Sequence, residues 1–486
     1  MAGVPSNIIT PFVGVEFDNS RAASSAALNF QTLIIGQKTS AGTGTAATLV
    51  KVSSASEVRE KAGPGSQLDQ MSKAYFRNNV AQDTYIYLLE DLLAGTACTY
   101  EITFTASSAK AGEIAMLIDG YRVAVAVAEG DTASEIGDAV VAALTDAADN
   151  LPITTFLNTA GVVSFAAKNK GTVANSLSVL FSYYDGEVLP SGVTAAFAVK
   201  VAGTGDPDLT SMIAALGETW FQTIVGPYTD STNLGLLEDE LASRFGVIRQ
   251  IDGLYITAKK ATSADMITYA TASGRNCPHV VTVDCYDYPN ATYEIAAAVA
   301  GKFAGTAADD PAAPMHRQNL VGILPPRKEL RKTMLQRNSL ALKGVMTLNP
   351  DSASVQTEAC VTMYLTNDAG APDTSYQQVN IMYQLMVARY EFRARILRFY
   401  PRAKLADSVL RLNPGQSVIT PEIGKAEALA WFSDLEARGI VENMTQFKAQ
   451  VQCVRDPSNR NRLNWVLPPD FVNQFIVGSA VMQFIQ

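Results

Sequence analysis

The sequence predicts a multidomain protein that mixes α/β and α+β architecture, and three observations carry that reading. Short apolar strands alternate with amphipathic helical segments over residues 28–94 and again over 204–370, the rhythm of a mainly parallel sheet with helical crossovers. Between them, residues 95–203 read as hairpins around one helix, bounded by Gly95 and Gly203, as a small α+β module inserted into the surrounding fold would. Residues 371–468 then combine two helices with a strand, and apolar segments lie in 1–27 and 469–486. At 486 residues the chain is long for one core. With 48% apolar and 17% charged residues it is globular in composition rather than disordered.

In order, residues 8–18 form an extended apolar segment that includes Phe12. Val13, Val15 and Phe17 share one face at period two, and Pro11 restricts the segment to an edge strand. Residues 19–27 are small and polar, a linker composition. Residues 32–36 and 84–89 are strands flanking a Gly/Ala/Thr-rich loop at 41–48 and a helix at 66–78, where Leu68, Met71 and Tyr75 fall at helical spacing. In the module, 100–105 alternates as a strand, and 114–127 is a hairpin around Asp119-Gly120. Residues 132–146 form an amphipathic helix with a Thr132/Glu135 capping box, and 161–167 and 176–183 are further strands. Strands at 220–225, 254–258 and 280–283 then alternate with helices near 233–245, 263–273 and 293–303, before a proline-rich stretch at 309–326.

The last region starts with a long helix at 375–399, followed by a helix at 421–438 with Pro421 at its first turn and Gly439 as its stop. Residues 447–454 are expected to form a strand, and Asp456-Pro457-Ser458-Asn459 is a turn. Pro468-Pro469 marks a joint. Beyond it, Ile476-Val477 and Val481-Met482 place apolar groups on both faces of an extended chain, as in a strand buried on two sides. Such a segment has to join a sheet, its own or a neighbour's.

Composition excludes several functions. The net charge of −9 argues against a general nucleic-acid binder. No run reaches the roughly 18 to 20 apolar residues of a membrane span. The opening Met1-Ala2-Gly3-Val4-Pro5 lacks a signal-peptide pattern, so the chain is expected to fold in a cytoplasm. The five cysteines are scattered without a CxxC pair and are expected to be free and buried. Of two histidines, His279 lies near Cys277, Asp284 and Cys285, without metal-ligand spacing, and is expected to be structural; His316 is expected to be solvated. The glycine-rich runs at 42–44 and 203–205 continue neither as a P-loop nor as a dinucleotide fingerprint. Asn290-Ala291-Thr292 and Asn443-Met444-Thr445 would matter as glycosylation acceptors only in an exported protein.

Charge is unevenly spread. Residues 95–203 hold eleven Asp/Glu against five Lys/Arg, a net of −6, and 374–486 hold nine against thirteen, a net of +4. Basic clusters occur at Arg389, Arg393, Arg395, Arg398, Arg402, Lys404 and Arg411, and at Arg327, Lys328, Arg331 and Lys332. Solvated faces explain them most simply; an interface with an acidic protein surface is the sharper alternative. No catalytic constellation emerges, which favours an interaction or structural role by elimination.

The C-terminal region carries two signatures, Tyr400-Pro401-Arg402-Ala403-Lys404-Leu405-Ala406-Asp407 and Asp456-Pro457-Ser458-Asn459-Arg460-Asn461-Arg462-Leu463, with Leu467-Pro468-Pro469-Asp470 and Val472-Asn473-Gln474 after it. Together they resemble the tail sheath proteins of contractile-tailed bacteriophages, the Mu-like myovirus group in particular. The resemblance is specific over 374–486, moderate over 31–90 and 217–303, weaker over 7–20, and carries no motif in 95–203. It implies a subtilisin-like α/β middle domain without protease activity, built from 28–94 and 204–370 around the inserted module at 95–203. It implies a C-terminal α+β sheath domain at 371–468 with strand-exchanging N- and C-terminal arms at 1–27 and 469–486.

The resemblance further implies a structural subunit that stacks as hexameric rings around a tail tube and contracts without nucleotide or cofactor, driving the tube through a host envelope for DNA ejection. Its partners would be itself, the tail tube protein, and baseplate and tail terminator proteins, with no nucleic acid and no membrane insertion. Its place would be the virion tail, and the host cytoplasm during assembly. Expected arm residues are Phe12, Val13, Val15 and Phe17 at one end and Phe475, Ile476, Val477, Val481, Met482 and Phe484 at the other. The expected acceptor strand carries Phe447, Val451 and Val454, and expected tube-facing residues are Lys425, Glu427, Asp434, Arg438, Arg402 and Lys404. The competing readings are an α/β hydrolase-like enzyme, which needs a nucleophile and base, an adhesin or fibre, which needs repeats, and the sheath of a pyocin-like particle. Type VI secretion sheaths are usually split over two chains, which favours a phage or pyocin-like particle here.

Overall fold

The computed structural model describes residues 28–272, 275–350, 354–408 and 416–485. The predicted N-terminal arm, with Phe12, Val13, Val15 and Phe17, lies outside the described residues, as does Arg411. The chain divides into two compact units, one holding Asn29–Met386 with Phe471–Gln486 and one holding Val387–Asp470.

The larger unit is built on a six-stranded sheet in the order Val280–Asp284, Leu254–Lys259, Thr223–Val225, Gln31–Gln37, Asp83–Leu89, Leu49–Val52. The first five strands are parallel and the last is antiparallel. The parallel strands read as continuous apolar runs because both faces are covered. Leu33, Ile35, Tyr87, Ile224 and Tyr255 pack against Leu234, Leu237 and Leu241 of helix Ser231–Phe245 and Met266 of helix Ser263–Ala270. The other helical pair, Gln67–Asn78 and Thr292–Asp309, packs closely together, the second being alanine-rich enough to let the first approach. Ser66 caps the first as an N-cap, accepting from the Asp69 amide. The short strand Leu49–Val52 and the helix Ala55–Ala62 were not anticipated from the pattern, being too brief to establish a period.

Residues 97–201 form two sheets around a helix. One sheet has the order Val193–Val201, Ala97–Ala106, Val162–Lys170, Ile153–Thr159; the other has the order Tyr121–Val127, Gly112–Ile118, Val179–Phe181. The helix Ala133–Ala147 carries the Thr132/Glu135 capping box. Tyr100, Phe104, Met116, Val140 and Phe165 belong to one buried core. Strands Ile153–Thr159 and Val193–Val201 escaped the sequence reading because exposed Leu157, Val199 and Val201 blur the in-out alternation.

The helix Val379–Phe399 counts with the larger unit up to Met386 and with the smaller from Val387. The smaller unit adds helix Pro421–Ala437, with Thr420 as N-cap and Pro421 in its first turn, and a hairpin of Gln452–Arg455 with Leu463–Val466. One expectation fails here. Residues 447–454 are not a strand: helix Met444–Gln450 holds Phe447, Val451 caps it, and only Val454 lies on the strand Gln452–Arg455. The period-two alternation misleads because Phe447 and Val451 are also four apart, a helical spacing that buries both.

Candidate assembly interface

The core of the smaller unit is aromatic. Phe432 and Phe447 stack at 4.1 Å, and Phe392 meets Trp431 and Trp465 edge-on at 5.3 and 5.7 Å. Against this core lies the hairpin, whose pairs are Gln452 with Val466, Cys453 with Trp465, Val454 with Asn464 and Arg455 with Leu463. Cys453 faces inward, its thiol pushed up to about 11 by burial. Trp465 donates from Nε1 to the Gly424 carbonyl at 3.0 Å. A Cβ on Gly424 would stand 2.6 Å from Cys453 Sγ and 3.2 Å from the Trp465 ring, so glycine at this helix position is what lets the hairpin seat.

The other hairpin face is open. Val454 and Val466 are 52% and 57% exposed, and among the described residues the two strands pair only with each other. A two-stranded sheet of this kind presents an unpaired edge on each side, a template for further strands.

The larger unit contributes the second feature. The predicted closing strand does not form within the chain: its strand residues are Asp470–Phe471, and 472–485 have no regular structure. The expected arm residues Phe475, Ile476, Val477, Val481, Met482 and Phe484 are 58–92% exposed, with Ile485 fully so. Among the described residues, 475–485 take part in no hydrogen bond. This is exposed apolar chain whose backbone makes no hydrogen bond within the described residues.

The six expected tube-facing residues divide. Glu427 is committed internally: it pairs with Arg395 Nε at 2.7 Å and accepts from the Tyr400 hydroxyl at 2.8 Å, and burial with that bond pushes the phenol up to about 12. Asp434 pairs with Arg395 and Arg438 with Glu391, both at the exposed rim. Lys425 is half-buried, and Arg402 and Lys404 are exposed. In the second basic cluster, Arg327 donates to the Phe181 carbonyl and Lys332 pairs with Asp284 at 2.5 Å, so these two cations serve the fold.

The point at which a sheet of this type would bind a ligand is bridged by the chain's own hydrogen bonds. In an open parallel sheet, ligands bind where the strand order reverses, here between Gln31–Gln37 and its neighbours Thr223–Val225 and Asp83–Leu89. Beside that point the inserted strand Val162–Lys170 supplies Asn169 and Lys170. Asn169 donates to the Lys38 carbonyl and to Asp91 Oδ1, and accepts from the Gln67 amide. Gln37 donates to Asp91 and to the Lys170 carbonyl, and the Lys170 amide donates to Asp91. The chain's own groups thus bond to one another across this point.

The five cysteines are buried and free. Desolvation pushes Cys277 and Cys285 to about 12, away from thiolate chemistry. His279 is 2% exposed beneath Phe245, with ring centres 4.9 Å apart, as expected for a structural histidine. Among the described residues no group of His, Cys, Asp and Glu could hold a metal, and no helix is long and apolar enough to cross a membrane. Asn290 of the glycosylation-like triplet is buried, which bars it as an acceptor.

Comparison with known proteins agrees with this picture. A family described as the phage tail sheath protein central domain matches residues 202–363, and the phage tail sheath C-terminal domain matches 371–483. The Mu-like prophage FluMu tail sheath protein of Haemophilus influenzae is 34% identical over 486 residues, covering 99% of this chain and 98% of that protein. That alignment runs through 95–203, where the sequence carried no motif. Among solved structures, a sheath tail protein from Listeria innocua is 12% identical with a TM-score of 0.50, over 93% of this chain and 94% of its own. The sheath of an extracellular contractile injection system in its contracted state is 10% identical with a TM-score of 0.50, over 99% of each chain. At such identities these two bear on the fold alone, a mixed α/β, multidomain one. The whole-chain relationship decides the family: this chain belongs to the phage tail sheath proteins, in the Mu-like group, a family of structural proteins of contractile tails and not of enzymes.

Proposed function

We propose that this chain is the repeating subunit of a virion tail sheath that assembles in the host cytoplasm, with copies joined by exchanged strands. The hairpin Gln452–Arg455/Leu463–Val466 receives the C-terminal arm of one neighbour on one edge and the N-terminal arm of another on the second. The observation that carries this reading is the match between two unfilled needs: a sheet with two open edges and a tail of exposed apolar residues without hydrogen bonds. Strand addition supplies main-chain bonds to both, and side-chain pockets select the register. Within the acceptor, Val454 takes the part first assigned to Phe447 and Val451, which are occupied by the core.

Energetics favour such a joint only when the ladder forms. Burying the seven large apolar side chains of the tail yields gross roughly 10–20 kcal/mol, and ordering eleven residues costs about the same. The main-chain bonds therefore decide, which protects the free subunit from indiscriminate sticking. Copies so linked stack as hexameric rings around the tail tube, ending on a baseplate and a tail terminator. Arg402, Lys404 and Lys425, with the rim of helix Pro421–Ala437, face the tube. Contraction uses no nucleotide or cofactor: subunit interfaces are better matched in the contracted state, and the tube is driven through the host envelope for DNA ejection. The α/β body is a rigid subtilisin-like support without catalysis.

Deletion of residues 475–486 tests this. The truncated protein is expected to fold with an unchanged unfolding midpoint and to remain monomeric in electron micrographs where the full chain forms striated tubes. Normal tubes from the truncated chain would refute strand donation.

A further inference from the structure

The paired prolines suggest that the arm swings from Pro468-Pro469, but its root is tied further along. Gln384, fully buried on helix Val379–Phe399, donates from Nε2 to the Val472 carbonyl at 3.1 Å. Gln474 donates from its own Nε2 to the Ala312 carbonyl at 2.5 Å. Ala312 lies in the turn after helix Thr292–Asp309, and Asn380, one turn before Gln384, holds the same turn by donating to the Ala313 carbonyl. Phe471–Gln486 accordingly counts with the α/β unit and not with the C-terminal one. Beyond Gln474 the bonding stops and exposure begins.

We propose that Gln384 and Gln474 form a latch that fixes the root of the C-terminal arm to the α/β body, so that the arm pivots at Phe475. The inference rests on the strand-donation reading and adds to it the route of the load. Once a neighbouring copy's sheet takes up the arm, the pull passes through Gln474 and Val472 into helix Val379–Phe399 and the Ala312 turn, instead of being lost as slack at the prolines. The free length, 475–485, spans about 36 Å when extended, so the arm can serve only an adjoining copy, and its fixed origin restricts which one.

Limited proteolysis of the full-length monomer with a broad-specificity protease, with cut sites read by mass, tests the latch apart from assembly. Wild type should be cut within 475–485 and resist within 470–474. Gln474→Ala should extend cutting back to Val472, short of the paired strand Asp470–Phe471, and Gln384→Ala should do the same from the other side of the latch. In assembly, Gln474→Ala should still give tubes, with the critical concentration raised about two- to five-fold because a longer flexible tether lowers effective concentration. A wild-type monomer cut equally in both segments, or variants with an unmoved boundary, would overturn the latch. An unmoved critical concentration would overturn its role in carrying load. Tubes formed by the 475–486 deletion would instead strike at strand donation and leave the monomer boundary untouched.

Discussion

Single residues in the smaller unit separate what holds the subunit together from what offers it to others. Phe447 stacks on Phe432 and is 1% exposed, whereas Val454, seven positions on, is 52% exposed. Phe447→Ala should therefore cost about 3–5 kcal/mol of stability, and Val454→Ser within about 0.5 kcal/mol, as read by denaturant unfolding. In assembly the order reverses: Val454→Ser is expected to weaken polymerisation while leaving the monomer intact, and a normal critical concentration would count against Val454 as an acceptor. The sequence reading put both residues on one strand, because alternating Phe447, Ala449, Val451 and Cys453 satisfies a strand and a helix-then-strand equally. Only the aromatic partners, distant in sequence, break the tie. The same holds for Gly424, whose fit against Cys453 is invisible until the hairpin is placed.

Among elements, the seam between the inserted module and the α/β body is the most sensitive to conditions. The Asp119-Gly120 turn, identified from sequence as a hairpin tip, abuts Asn290, which donates to Glu294 Oε2 at 3.0 Å and to the Gly322 carbonyl and accepts from the Leu324 amide. Asp119 and Glu294 line one cavity of about 150 Å³. Burial raises Asp119 to about 6, with Lys260 opposing; burial raises Glu294 to about 7, with the Asn290 bond, Arg77 and Lys73 opposing and Asp119 adding to the rise.

Both acids hold protons more tightly folded than unfolded. The stability tied to their protonated forms is full below about pH 4 and is lost as pH rises through about 6 and 7. For Glu294 the loss amounts to about 3 kcal/mol at most. Denaturant midpoints should fall from pH 5 to 8, and Glu294→Gln should flatten the decline; an unchanged slope in that variant would place the effect elsewhere. The sequence disclosed the helix, the turn and the Asn290 triplet, but not that they meet. Their meeting depends on the module's docking, which no local pattern encodes.

At the scale of the whole molecule, the layout was legible because periodicity is a local property. Strands with two buried faces read as unbroken apolar runs, and Thr132 and Glu135 announced a helix start that the structure reproduces. Strands Ile153–Thr159 and Val193–Val201, with Leu157, Val199 and Val201 exposed on them, gave no such signal. The tail was legible as apolar and in need of a sheet, and 472–485 form no regular structure within the chain. Exposed apolar residues beyond Gln474 and an open hairpin face are the surfaces this sheath protein offers to copies of itself.

Hydrogen exchange compared between free subunit and assembled sheath tests that claim most directly. In the monomer the amides of 475–485 should exchange at rates near those of unstructured chain, since they make no hydrogen bonds. In the sheath these amides should become protected together with those of Gln452–Arg455 and Leu463–Val466. Assembled tubes in which 475–485 still exchange as freely as in the monomer would contradict the account.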